Sequence, residues 1–108
     1  MGDIAIVAPF WADVDTRGMA SGLAWYKSIG NNAFVVVYEK VGFYDSRSDL
    51  LNTFSVVISD GTYSPLGMGN TACFCYQDMQ WTTGEASDGI DGFGGEPATV
   101  GANRGVSD

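Results

Sequence analysis

Thr53-Phe54-Ser55-Val56-Val57-Ile58-Ser59-Asp60 alternates bulky apolar residues with others, and its reading decides the fold. Successive side chains on a strand point to opposite faces. Phe54, Val56 and Ile58 therefore share one face, and Thr53, Ser55 and Val57 the other. Asp60-Gly61 ends the run with turn chemistry. Upstream, Ala33 to Val41 (AFVVVYEKV) has the same period with apolar residues on both faces, which predicts a central strand. Gly30-Asn31-Asn32 before it suits a hairpin turn, because Gly and Asn tolerate positive φ. Ile4 to Phe10 reads as a buried strand with Pro9 near an edge or bulge, and Gly22 to Lys27 as a second strand. Downstream, Ala72 to Thr82 places Phe74 and Tyr76 on one face and Cys73, Cys75, Met79 and Trp81 on the other. Gly42 to Asp49 reads as a polar loop, and Ala98 to Ala102 as a last short strand after a Gly-rich, acidic stretch.

Composition agrees with strands. Val, Ile and Thr number 22, whereas the helix formers Leu, Glu and Lys number nine, and no helical period persists over three turns. The expectation is an all-β, antiparallel β-sandwich-like single domain with Gly-rich loops, over residues 1–108. No run of about 18 apolar residues exists, so no membrane insertion is expected. Met1-Gly2-Asp3 lacks the basic and apolar regions of a signal peptide. Five basic residues against thirteen acidic ones, net −8, are too few and too scattered to neutralise phosphates, which excludes nucleic acid as a partner. Histidine is absent, which removes Ser-His-Asp and Cys-His catalysis and every His-containing zinc site.

Three groups of residues carry candidate chemistry. Asp13 and Asp15 lie two apart, so on an extended chain both carboxylates leave one face, from backbone positions about 6.6 Å apart. That spacing lets both reach one Ca²⁺; the plainer alternative is that each accepts turn N–H groups. Trp11, Trp25 and Trp81 are candidates for a ligand-contact platform, or else core residues. Cys73 and Cys75, also two apart on a strand, can be buried thiols, a strained internal disulfide, or links to another chain. Phe93, flanked by Gly92, Gly94 and Gly95, is expected to anchor an ordered loop or else lie exposed. Among thirteen acids some paired carboxylates will arise by chance, so glycosidase-like pairing carries little weight.

Residues Ile6 to Gly18 (IVAPFWADVDTRG) resemble the opening of the nidogen-like extracellular domain. The resemblance continues through Trp25-Tyr26-Lys27, Val35 to Tyr44, Leu51 to Phe54 and Val57 to Gly61. It closes with Gln80 to Gly84, Gly92 to Ala98 and Val100 to Asn103, all in family order. Tyr38 stands where the family usually has Trp, and Ser55 where Gln is common. The short Tyr26-to-Phe34 interval resembles the compact bacterial-type members, and the family pattern continues past Asp108, leaving open a truncated C-terminal end.

The resemblance implies a secreted, extracellular, non-catalytic structural or adhesive module that contacts other extracellular proteins. Association of copies into homo-oligomers or fibres is expected on other grounds, from strand edges left open where the pattern runs past Asp108 and from cross-linking by Cys73 and Cys75. A glycan-binding module using exposed Trp and carboxylates is the alternative, and a carboxylate hydrolase a more distant one. The family brings no catalytic residues and no ligand set with it. Calcium rests on the Asp13/Asp15 spacing alone.

Overall fold

The computed structural model describes residues 4–105; Met1-Gly2-Asp3 and the stretch around Asp108 lie outside the described residues. Seven strands run through it: β1 Ile6–Trp11, β2 Val14–Asp15, β3 Ala24–Ile29, β4 Ala33–Phe43, β5 Arg47–Ser59, β6 Ala72–Met79 and β7 Thr99–Asn103. Every pairing is antiparallel. The broad sheet has the order β2-β4-β5-β6, with β3 also beside β4, and β1 pairs β7 in a separate ribbon. The described part is a slab, 41 × 34 × 18 Å, with a radius of gyration of 15.0 Å. A compact chain of this length would have about 13 Å.

The alternation read in β5 is kept. Phe54 and Val56 are buried, while Thr53, Ser55 and Val57 are half-buried on the opposite face. The ribbon lies on the Phe54 face, where Phe10 meets Phe54 at 5.2 Å and Trp81 at 5.1 Å between ring centroids. The result is the expected sandwich-like arrangement of antiparallel sheets, with one broad layer and one narrow one. Strands β3 and β4 meet at the Gly30 turn, where Gly30 takes a φ of 58°.

One expectation is corrected. Residues 42–49 are not a polar loop: the turn is confined to residues 44–46, and β5 already begins at Arg47. Arg47 pairs in register with Phe43, and its guanidinium spans the Asp49 carboxylate at 2.9 Å to each oxygen. Two polar residues at i and i+2 thus satisfy each other along a strand, which hides its period in the composition.

Beyond β6 the chain leaves the ladder, and Asn52 takes over its hydrogen bonding. Asn52 Oδ1 accepts from Gln80 N at 2.6 Å and Trp81 N at 3.0 Å, and Nδ2 donates to the Trp81 carbonyl at 2.9 Å. Trp81 is thereby fixed in the core, with Nε1 donating to the Val41 carbonyl at 3.1 Å and Phe43 against its ring. Trp81 and Asn52 are both fully buried, and each polar atom of the pair has a partner.

Candidate interaction surface

The two aspartates read as a pair serve two different turns. Asp15, 7% exposed, accepts from Arg17 N, Nε and Nη2 and from Ser46 N at 2.9 Å. The Arg17 hydrogen bond, followed by burial acting in opposition, holds its carboxyl well below the usual carboxylate range. Asp13 reaches instead to the far loop, accepting from Gly84 N and Ala86 N, each at 3.0 Å. A β-carbon at Gly84 would fall on the Asp13 carboxylate, so a larger residue there would push that carboxylate off its N–H partners.

The partner sets share no residue, and the partners are N–H and hydroxyl donors rather than further carboxylates. The spacing argument for one shared cation therefore does not carry over to the folded chain. Among the described residues no group of three or more His, Cys, Asp or Glu is placed to hold a metal ion.

Arg47 is the functional-looking cation that the sequence reading missed. Besides Asp49 it reaches Glu85 and Asp91, each at 3.2 Å, and lies over the Phe43 ring at 5.1 Å. Arg17 pairs with Asp15 and Asp45, so both arginines brace the end of the slab around Trp81. The Arg-x-Asp spacing at Arg47 and Asp49 was the available signal.

The three tryptophans divide. Trp81 is buried, so its place in a ligand-contact platform is corrected: Phe10, Phe43 and the Val41 carbonyl occupy its surroundings. Trp11 is 56% exposed and Trp25 45% exposed, one at the end of the ribbon and the other on β3. Trp25 Nε1 makes a long bond of 3.4 Å to Glu39.

Trp11 borders two shallow hollows. The first is an apolar groove whose walls include Ile6, Ala8, Val100 and Ala102, and the second is shared with Asp13, Ser87, Glu96 and Pro97. The anchor expected of Phe93 belongs to its neighbour. Gly92 is buried, its carbonyl accepts from Thr82 N and Thr83 N at 2.8 and 2.9 Å, and Phe93 is 51% exposed.

Cys73 and Cys75 are both free, with Sγ atoms 3.8 Å apart. Cys75 is exposed and Cys73 half-buried, so the buried-core reading of the pair is corrected. They stand opposite Val57 and Ser55 on the sheet face away from Phe54. A hydrogen bond with Cys75, then burial, pushes the Cys73 thiol up.

Comparison with known proteins finds relatives along most of the chain. Alpha-tectorin of Homo sapiens is 33% identical over 129 aligned positions, covering 94% of this chain, and the Mus musculus protein gives the same figures. Alpha-tectorin of Gallus gallus is 43% identical over 76 positions, covering 67% of the chain. The chain spans only 6% of the length of the human and mouse relatives and 3% of the chicken one. No solved structure matches. Among the described residues no helix is long and apolar enough to cross a membrane. Residues 24–108 match the family described as nidogen-like domain, and the chain belongs to that family.

Proposed function

We propose that this chain is a non-catalytic extracellular module that docks other extracellular proteins through an apolar surface centred on Trp11. The observation that carries the reading is the exposure of Trp11 on a strand held rigidly from behind, since the adjacent Phe10 is wedged between Phe54 and Trp81. An exposed aromatic on a fixed backbone loses little entropy on contact and is a common anchor of protein interfaces. Family membership and the likeness to alpha-tectorin support the extracellular placement. Hydrolysis draws no support from the hollow beside Trp11, because both Asp13 oxygens already accept backbone N–H groups there.

The test is capture of purified extracellular-matrix proteins on immobilised chain, comparing the natural sequence with Trp11→Ala and Trp25→Ala. Loss of capture in Trp11→Ala, with an unchanged far-ultraviolet spectrum, is the expected result. Equal capture by all three would overturn the Trp11 surface. The hollow shared by Trp11, Ser87 and Glu96 favours a second reading, a glycan held by ring stacking and polar contacts. Binding on a glycan array that disappears with Trp11→Ala and Glu96→Gln would select it. Self-association into oligomers or fibres uses the same apolar surfaces in this proposal, and light scattering over a concentration series reads it directly.

A further inference from the structure

The Cys73/Cys75 pair lies apart from the Trp11 surface and carries a chemistry of its own. Both thiols leave the same face of β6, the terminal strand of the broad sheet, and their sulfurs stand 3.8 Å apart. Two thiolates bound to one tetrahedral Zn²⁺, with Zn–S of about 2.3 Å, are separated by about 3.8 Å. That distance alone would also suit two thiols in simple contact. Accessibility makes the difference: Cys75 is exposed, Cys73 is half-buried rather than enclosed, and neither sulfur is spent in a disulfide. The pair is thus preset to grip a cation without rearranging the strand.

The grip is only half a site. A tetrahedral d¹⁰ ion needs four ligands, and no third His, Cys, Asp or Glu joins the two thiols among the described residues. The acid farther along β6, Asp78, accepts from Gln80 Nε2 at 3.0 Å. Among the described residues no strand pairs the outer edge of β6, and its stretch from Ala72 to Tyr76 carries no charged residue to repel another copy.

We infer that Cys73 and Cys75 form a bidentate site for a thiophilic divalent cation such as Zn²⁺, completed by the same two cysteines of a second copy of this chain. Four Cys–S–metal bonds form, and the four thiol protons pass to solvent. No electrons are transferred. This site does not depend on the Trp11 reading, and either can fail without the other.

The experiment is titration of the fully reduced chain with Co²⁺ and Cd²⁺ as spectroscopic stand-ins for Zn²⁺, with Ca²⁺ as the hard-cation control. Thiolate-to-metal charge-transfer absorption should rise and saturate at one ion per two chains. Light scattering should show the mass doubling in step, and a chelator should reverse both. Cys73→Ser and Cys75→Ser, isosteric changes on an open face, should each abolish absorption and dimer while keeping the far-ultraviolet spectrum. Absence of charge-transfer absorption at micromolar ion would overturn the site. Saturation at one ion per chain with an unchanged mass would overturn its sharing between copies.

Discussion

Strands β4 and β5 run through two environments that share a period and differ in everything else. At the end near the residue-44 turn, Val41, Phe43, Asn52 and Trp81 are fully buried. At the opposite end the register brings Phe34, Ile58 and Ala72 side by side, yet Ile58 is 37% exposed and Tyr26, packed on Phe34, is 73% exposed. The apolar content of the two ends is alike. What differs is cover: the β1–β7 ribbon and the loop from Thr82 to Ala98 fold back on the first end through Phe10, the Gly92 carbonyl and the Asp13 bracket. The contrast teaches that strand alternation marks which residues can be buried, and that a second layer decides which of them are.

Breaking that contrast requires substitutions of like size under the second layer and away from it. Trp81→Ala should cost about 3–5 kcal/mol in urea unfolding, because a fully buried ring leaves a cavity and orphans its hydrogen bond to Val41. Trp25→Ala on the open face should stay within about 1 kcal/mol. Equal costs would mean that the ribbon does not create the core.

The second expectation concerns acid. Asp15→Asn should cost about 1.5–3 kcal/mol near neutral pH, as a nearly buried carboxylate loses charge-assisted bonds to Arg17 and Ser46. Because the folded carboxyl titrates below its unfolded value of about 3.9, its contribution is present above that pH and fades as the pH falls toward the folded value. Thermal midpoints measured from neutral pH down to about pH 2 should therefore fall less steeply in Asp15→Asn than in the natural chain. Asp49 and Asp60, whose carboxyls are also lowered, act in the same sense but are exposed.

A sharper probe uses adjacent residues in the loop. Gly92→Ala should destabilise by about 1–3 kcal/mol, since its φ is 94° and a β-carbon would press on Trp81 and Leu50 at 3.0 and 3.2 Å. Phe93→Ala, although it removes a whole ring, should cost less than about 1 kcal/mol. The reverse order would make Phe93 the anchor after all.

The smallest effect is expected from calcium. With Asp13 and Asp15 satisfied by separate N–H groups, millimolar calcium and a chelator should give the same thermal midpoint. A calcium-dependent rise that Asp13→Asn removes would restore the shared-cation reading.

Much of the architecture was legible because it is local. The Gly30-Asn31-Asn32 turn and the strands on either side follow from φ preferences and two-residue alternation, which any short window contains. The early start of β5 was not legible, because Arg47 and Asp49 neutralise each other across the strand and look like loop residues in composition. The pairing of β1 with β7 joins the two ends of the described chain and leaves no mark on either segment alone.

The candidate sites were legible as residue types and not as partners. The spacing of Asp13 and Asp15 suggested one shared ligand, and that of Cys73 and Cys75 a pair on one face. Only the cysteines stay together, because their separation is fixed by one continuous strand. Asp13 is claimed by Gly84, 71 residues away, and Asp15 by Ser46, 31 residues away. By itself the sequence determined an all-β chain, its Gly30 hairpin turn and the faces of its central strands, since covalent geometry and side-chain alternation act over a few residues. Tertiary structure alone decided that Trp81 is core while Trp11 and Trp25 are surface, and that the two thiols lie outside the core, because burial and hydrogen-bond satisfaction depend on which distant segment folds back over each face.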